Sequence, residues 1–244
     1  MPSTIDYARE LDRLIELWDK HRQWNVPVAR HGVNVALLNA YVAHSVNLAR
    51  AVRVLDGVGL TFESMSLVRS TMEATVTASW LALFPDKTPD FTFVSAQEKK
   101  KTLDQIVKHG LADGGPGLEQ TTRFLEGFGG KAVDPEGRWL KSRFESIRGG
   151  DQLYLTYRIL CSWDHATNSL ADQYVEKVAE DEANPWGLVL LDQAASRESW
   201  LGVQSALILR AQMAADMVLT KPRHRTQLRN FARRFGVADS IEPM

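Results

Sequence analysis

Residues 61–84 read TFESMSLVRSTMEATVTASWLALF, and the apolar residues of this stretch recur at helical spacing on most sides. A helix that is apolar all round usually lies in the centre of its bundle. Strand signals are nearly absent from the rest of the chain, because Val and Thr occur mostly in segments whose apolar period is helical. We therefore predict an all-α fold built around this helix.

Four further segments with a helical apolar period complete a predicted bundle of four or five long helices. They cover about residues 3–24, 33–55, 151–166 and 193–219. Ser3 or Thr4 is the predicted cap of the first segment. Asp56-Gly57-Val58-Gly59 ends the second segment as a glycine cap would, and Pro85 and Pro89 end the central helix.

Residues 86–150 are more polar and contain many of the glycines. Short helices are predicted near 92–111, 117–128 and 135–148, with glycine pairs between them. None of them is long enough to bury a core alone, so we interpret this region as a smaller helical excursion beside the bundle. The prediction is one domain over 1–244, with 86–150 as the excursion and 221–244 as a basic tail.

The composition is that of an ordinary globular domain, with 44% hydrophobic and 24% charged residues in a length of 244. A formal net charge of -1 gives no overall attraction to nucleic acid, so any such contact needs a local basic patch. The single cysteine, Cys161, excludes a disulfide framework or a Cys-based zinc site within one chain. No segment approaches the ~18 apolar residues of a membrane span, and no apolar signal core is seen, so we expect a cytoplasmic protein.

Motifs for metals and cofactors are not found, so we expect neither. The sequence lacks His-Glu-x-x-His and the paired Glu-x-x-His of a dimetal bundle. Its glycine-rich stretches lack the Lys-Ser/Thr of a phosphate-binding loop, and there is no Gly-x-Ser-x-Gly nucleophile turn.

Arg158 and His165 are the two side chains that suggest chemistry. They lie seven positions apart at the end of the predicted helix 151–166, almost two turns, so both point from one face. In metal-independent RNA cleavage, an imidazole can take the proton of the ribose 2′-OH while a guanidinium fork holds the attacked phosphate. The structural alternative is that Arg158 pairs with a carboxylate and His165 caps the helix end, where a positive charge suits the helix dipole.

This Arg-x(4–6)-His signature, late in an all-α bundle, resembles that of the HEPN superfamily, whose members include dimeric RNases of toxin and defence systems. Arg158 and His165 match the two signature positions, and Ile159 stands where a polar residue is usual. The resemblance implies a HEPN-like ribonuclease, or an inactive relative, that binds RNA and forms a homodimer. The second hypothesis is a non-catalytic helical module that binds a partner protein or a small ligand.

Two stretches also resemble an uncharacterised family of bacterial helical proteins. They are residues 67–80, LVRSTMEATVTASW, and residues 157–165, YRILCSWDH. The resemblance implies an all-helical fold over most of the chain, without a known function.

Arg69 and Glu73 are an i,i+4 pair on an apolar stripe of the central helix, where an unpaired charge would be costly. The structural interpretation is a mutual ion pair, shared with Arg158 or His44. In the functional interpretation, Glu73 lies beside His165 and orients its imidazole, as a third group orients the base in other catalytic sites. His44 shares a face with apolar residues, which predicts a hydrogen-bonded histidine in the core.

The tail is basic over residues 221–234, without an acidic residue. One interpretation is that it binds the backbone of a nucleic acid, and the other is that its phenylalanines dock on the bundle and leave the arginines in solvent. The candidate nucleic-acid-binding residues are Arg223, Arg225, Arg229, Arg233 and Arg234.

Overall fold

The computed structural model describes residues 5–20, 32–113, 115–128, 139–165, 168–180, 183–190, 197–220, 222 and 224–244. These ranges contain ten α-helices, one 3₁₀ turn (Pro85–Lys87) and one small sheet, which confirms the all-α prediction. The helices are α1 (Tyr7–Asp19), α2 (Gly32–Gly57), α3 (Met65–Leu83), α4 (Thr88–Lys108), α5 (Gly115–Gly127), α6 (Leu140–Glu145), α7 (Gly150–Asp164), α8 (Asn168–Ala171), α9 (Arg197–Met217) and α10 (Arg225–Phe235). The strands β1 (Val175–Lys177) and β2 (Leu188–Leu190) pair antiparallel, with Val175 opposite Leu190.

The predicted central helix is α3, and it lies in the centre of the bundle. It packs against α2, α9, α7 and α6. Residues 74–81 are all buried, which covers every side of a helix. Most of its buried hydroxyls donate to carbonyls one turn earlier, as Thr71 does to Leu67 and Ser79 does to Thr75 (2.8 Å each). Thr75 donates to the carbonyl of Leu207 in α9 (3.4 Å), so the burial of these hydroxyls leaves no unsatisfied donor.

The second buried helix, α9, packs on α3, α1, α2 and α10. Two glutamines tie it to its neighbours: Gln212 Nε2 donates to the carbonyl of Leu14 (2.7 Å), and Gln204 Nε2 donates to Thr71 Oγ1 (3.2 Å). Because an unpaired buried amide is unfavourable, these bonds favour one register of α9 against α1 and α3.

Local capping groups place several helix ends away from the predicted positions. Asp6 caps α1, since its carboxylate accepts a hydrogen bond from the backbone N–H of Arg9 (3.1 Å), whereas Ser3 and Thr4 lie outside the described residues. Gly59 has a φ of 81°, which confirms the glycine cap after α2. Pro89 lies in the first turn of α4, where its missing N–H is not needed, and it does not end α3 as predicted.

Within the predicted excursion, α4 and α5 pack mainly on each other. Phe93 and Phe128 make ring contact at 4.5 Å between centroids, while Phe91 is buried against Trp80 of the bundle (6.2 Å). The short α6 also falls within 86–150, yet it packs on α3 and α7 through the fully buried Phe144. The region therefore includes one helix that contributes to the bundle core.

The phenylalanines of the tail dock on the bundle through α10, as one of the two interpretations predicted. Phe231 is buried, and the ring of Phe235 lies 5.6 Å from that of Tyr7. Arg234 Nη2 binds Glu10 Oε2 at 2.7 Å and fixes α10 to α1. No helix in the described ranges is long and apolar enough to cross a membrane.

Candidate functional site: an exposed arginine and histidine on α7

The last turns of α7 carry the predicted pair. The helix packs on α3, with Leu160 buried on the inner side. Asp164 is its last residue, and His165 follows with an extended backbone (φ −104°, ψ 146°). On the outer side, Arg158 is exposed between Leu155 and Ile159, whose exposed fractions are 65% and 42%.

Four polar side chains join α3 to α7, and we call them the α3–α7 clamp: Arg69, Glu73, Tyr157 and Asp164. Arg69 Nη1 donates to Glu73 Oε1 at 2.5 Å, and Arg69 Nε forms an ion pair with Asp164 Oδ2 at 2.8 Å. The Tyr157 hydroxyl donates to Glu73 Oε1 at 3.0 Å. The clamp therefore holds α7 at two points that are seven residues apart.

The two clamped residues of α7 directly precede the two candidate catalytic residues. Tyr157 comes before Arg158, and Asp164 comes before His165. Since successive side chains on a helix point about 100° apart, contacts of the first two with α3 turn the second two towards solvent. Arg158 and His165 are both exposed, and neither makes a hydrogen bond or an ion pair with any residue that the structure describes.

The ion pair predicted between Arg69 and Glu73 is confirmed, but its further partners differ from the predicted ones. It is extended by Asp164 and Tyr157, and not by Arg158 or His44. Glu73 does not contact His165 among the hydrogen bonds and ion pairs of the described residues. Its carboxylate supports α7 through Tyr157 and does not orient the imidazole directly.

His44 is exposed, so the prediction of a core histidine is wrong. The buried stripe of α2 includes Leu38, Val42, Ser45 and Ala49. His44 is one position from Ser45, and a rotation of about 100° carries its side chain out of that stripe. Apolar neighbours at helical spacing did not distinguish the edge of the stripe from its centre.

The surroundings of the clamp are partly desolvated. Burial, the Cys161 thiol and the Glu73 carboxylate raise the pKa of Tyr157, so its hydroxyl stays protonated and donates at neutral pH. Arg143 of α6 extends the polar contacts of α3 by donating to Thr77 Oγ1 at 2.5 Å. Burial lowers the pKa of Arg143, while the nearby Tyr41 and Glu73 act against that shift.

The described arginines of the tail are mostly close to carboxylates. Arg225 Nε lies 3.9 Å from Asp216, and Arg229 Nε lies 4.0 Å from Asp239. Arg234 binds Glu10, while Arg233 is exposed and its one hydrogen bond within the described residues goes to Asn230 Oδ1, at 3.5 Å. Arg223 lies outside the described residues. The acidic partners come from other parts of the chain, so the composition of 221–234 alone did not reveal them.

Tyr157, Asp164 and Arg143 are the residues of this region that sequence reasoning did not select. The first two carried a signal that was available, since they occupy the same seven-residue spacing as Arg158 and His165, one position earlier. Arg143 gave no such signal. Among the described residues, no three His, Cys, Asp or Glu side chains form a group that could hold a metal ion.

The fold and the clamp define an all-α bundle protein with an exposed arginine–histidine pair on one outer helix. Residues 35–183 match DUF5677, a family of unknown function, and because this is more than half of the chain, the protein belongs to that family. The match includes most of α2 and all of α3 and α7 with the whole clamp, and it confirms the resemblance of 67–80 and 157–165 to an uncharacterised family. The match carries no HEPN assignment. No curated protein and no solved structure matches the chain.

Proposed function

We propose that this protein is a HEPN-like, metal-independent ribonuclease of a toxin or defence system, with Arg158 and His165 as its catalytic pair. The observation that supports the proposal is the contrast between these two residues and their neighbours. Tyr157 and Asp164 are bound to α3, while Arg158 and His165 are exposed and without a partner among the described residues. A helix that is held firmly and presents two open side chains is suited to receiving a substrate.

In the proposed reaction, His165 removes the proton of a ribose 2′-OH, and the freed oxygen attacks the adjacent phosphorus. The bond from phosphorus to the 5′-oxygen breaks, and that oxygen takes a proton from water or from the histidine. Arg158 donates N–H bonds to the phosphate oxygens and stabilises the charge that develops on them. The products are a 2′,3′-cyclic phosphate and a 5′-hydroxyl.

The two groups are separated along the helix axis by about 10 Å, because seven residues each rise about 1.5 Å. The flexible arm of Arg158 therefore extends towards the C-terminal end of α7 when both groups contact one phosphate. A surface without an excess of positive charge binds RNA weakly. We therefore also expect the exposed arginines of the tail, Arg233 above all, to contribute to the affinity for RNA.

A homodimer through the outer side of α7 is the second part of the proposal. Leu155 and Ile159 are large apolar side chains exposed on either side of Arg158. Covering them with a second copy would remove this apolar surface from water and bring two Arg158–His165 pairs together. The same surface favours the alternative function, a non-catalytic module that binds a partner protein there.

Cleavage of labelled RNA by the purified protein in the presence of a chelator tests the activity. We expect cleavage that is lost on Arg158→Ala and on His165→Ala, and retained in His109→Ala, which changes an exposed histidine at the end of α4. Cleavage that survives both α7 substitutions would remove the proposed roles. A wild-type protein that cleaves no RNA would favour the partner-binding module.

Analytical ultracentrifugation of Leu155→Asp tests the dimer. We expect the wild type to sediment as a dimer and Leu155→Asp as a monomer, while Leu111→Asp, at an exposed leucine in the turn after α4, leaves the dimer intact. A wild-type monomer, or a dimer that persists in Leu155→Asp, would contradict the proposed interface.

A further inference from the structure

A cavity of about 440 Å³ lies between α7, α9 and residues 236–241, away from the exposed pair. Its volume is within the roughly 300–1,000 Å³ of small-molecule sites in proteins. Much of its wall is apolar, formed by Met72, Leu153, Val203, Leu207, Met213 and Ile241. No Asp or Glu is among the described residues that line it.

Arg210 of α9 lines this cavity and is an unusual residue to find there. Its Nε and Nη2 are buried and make no hydrogen bond with any residue that the structure describes. No carboxylate among the described residues forms an ion pair with Arg210. Burial lowers the pKa of its guanidinium. Buried guanidinium N–H groups without an acceptor are unfavourable, which points to a partner that the described residues do not provide.

The positions of the two unsatisfied nitrogen atoms indicate which acceptor group the partner carries. The N–H groups on Nε and Nη2 lie along one edge of the guanidinium and point in parallel. This edge matches the two oxygens of a carboxylate, which accepts both bonds at once. A single hydroxyl or carbonyl oxygen would satisfy only one of the two donors.

The charge of the cavity limits the charge of the ligand. Arg148 also lines the cavity, but its guanidinium is paired with the carboxylate of Glu242. Arg210 therefore leaves one uncompensated positive charge, which suits a monoanion better than a dianionic phosphate. The apolar wall suits a hydrocarbon or aromatic body attached to the anionic group.

The C-terminal segment that forms one wall of the cavity with residues 236–241 is held in place without a ligand. The backbone N–H of Arg148 donates to the carbonyl of Glu242 (2.9 Å), and that of Met244 donates to the carbonyl of Ser146 (3.1 Å). Both bonds fasten this segment to the turn between α6 and α7. A site with fixed walls binds without the entropic loss of ordering a loop.

We propose that this cavity binds a small monocarboxylate with an apolar body, whose carboxylate is held by Arg210. The inference does not depend on the proposed ribonuclease activity, since neither Arg158 nor His165 lines the cavity. Leu153 and Thr156 of α7 do line it, so the ligand contacts the helix that carries the exposed pair.

Isothermal titration calorimetry on the full chain tests the site, with benzoate, hexanoate and octanoate as probes. The matched neutral probes are benzamide, hexanamide and octanamide, and inorganic phosphate is the competing anion. We expect at least one carboxylate to bind, and its amide to bind more weakly by on the order of tenfold or more, because the amide is uncharged and offers one acceptor instead of two.

Arg210→Met and Arg210→Lys are the informative variants, and Arg123→Met on the exposed side of α5 is the control. Arg210→Met should lose the preference for the carboxylate over the amide, Arg210→Lys should keep a part of it, and the control should keep all of it. The thermal midpoint of ligand-free Arg210→Met should not fall, because an unpaired buried charge has been removed. Hence weaker binding would not reflect unfolding.

Three results would overturn the proposal. They are the absence of binding by all three carboxylates, equal affinity for a carboxylate and its amide, and an unchanged preference in Arg210→Met. Tighter binding of phosphate than of any carboxylate would overturn the assigned ligand class.

Discussion

Arg69 Nε lies 2.8 Å from Asp164 Oδ2, so a residue of the central helix holds the last residue of α7. Asp164 is followed directly by His165, and the same arginine is bound to Glu73, which in turn accepts a hydrogen bond from Tyr157. Two partly buried side chains of the central helix thus determine how the C-terminal end of α7 is placed at the surface.

Removal of Arg69 should destabilise the protein through loss of the clamp. Arg69→Met breaks contacts with Glu73 and Asp164 while it retains most of the apolar stem. We expect the free energy of unfolding in urea to fall by about 1–2 kcal/mol, because these charged contacts are only partly shielded from water. Arg158→Met is the control and should change stability by less than about 0.5 kcal/mol, since Arg158 has no partner among the described residues. Equal losses in both variants would refute the clamp.

Tyr157→Phe should make stability less sensitive to alkali. Burial, Cys161 and Glu73 raise the pKa of Tyr157 in the folded protein above the usual tyrosine value of 10.0. The stabilisation from this phenol is therefore complete below about pH 10 and is lost as the pH rises towards the folded pKa. At neutral pH the variant should lose about 1 kcal/mol with the Glu73 bond. Urea unfolding between neutral pH and pH 11 measures both effects.

Tyr154→Phe is the control for that experiment. Tyr154 stacks on Tyr157 at 6.0 Å between ring centroids, and its hydroxyl makes no hydrogen bond within the described residues. We expect its neutral-pH stability to stay within about 0.5 kcal/mol of the wild type. A drop in this variant as large as in Tyr157→Phe would show that the bond to Glu73 is not responsible.

Asp56 should contribute to acid sensitivity. Its side chain has an exposed fraction of 0%, and it accepts bonds from Arg197 (2.5 and 2.7 Å) and Arg53 (2.6 Å). Burial acts to raise the pKa of Asp56, but Arg197, Thr61 and Arg53 together hold it below the usual aspartate value of 3.8. The stabilisation is therefore present above about pH 4 and is lost as the pH falls through the folded pKa.

We expect Asp56→Asn to lose about 2 kcal/mol at neutral pH, less than the ~3–5 kcal/mol of fully buried pairs, because both arginines can still reach water. Below pH 4 its deficit relative to the wild type should shrink. Asp104→Asn, at an exposed carboxylate paired with Lys100, should show neither effect. A deficit that stays constant from neutral to acid pH would rule out the ionised Asp56 as its source.

Phe231→Ala should weaken the docking of α10. Phe231 is 8% exposed and contacts the ring of Phe235 edge to face, with 6.0 Å between centroids. We expect a loss of about 3 kcal/mol from the transfer and cavity terms, measured as a fall in the thermal midpoint. Arg233→Ala, on the exposed side of the same helix, should leave the midpoint nearly unchanged. A fall in the midpoint of Arg233→Ala as large as that of Phe231→Ala would contradict the role assigned to the buried ring.

The helices and the Arg69–Glu73 ion pair were predictable because they depend on neighbours within a few turns of chain. Apolar periodicity over 61–84 reports directly on the burial of a helix, and i,i+4 spacing brings the two charges together in any helix. Helix ends were less predictable. A single side chain such as Asp6 decides them, and several polar residues compete for that role.

The site depended more strongly on packing. The spacing of Arg158 and His165 on one helix predicted a shared face, but the exposure of that face follows from Tyr157 and Asp164, whose partners are about 90 residues earlier in the chain. His44 also shows that periodicity does not fix the exposure of a single side chain. It is one residue, or about 100° of rotation, from the buried stripe of α2.

From its amino acids alone, this chain specifies which segments are helical and which helix is central, because both properties follow from short-range periodicity. Packing of distant segments decides which side of α7 faces water and which carboxylates meet the arginines of α10. It also leaves Arg210 without a carboxylate partner among the residues that the structure describes. The physical reason is that the energy of a charge depends on what surrounds it in space, and most of those surroundings are remote along the chain.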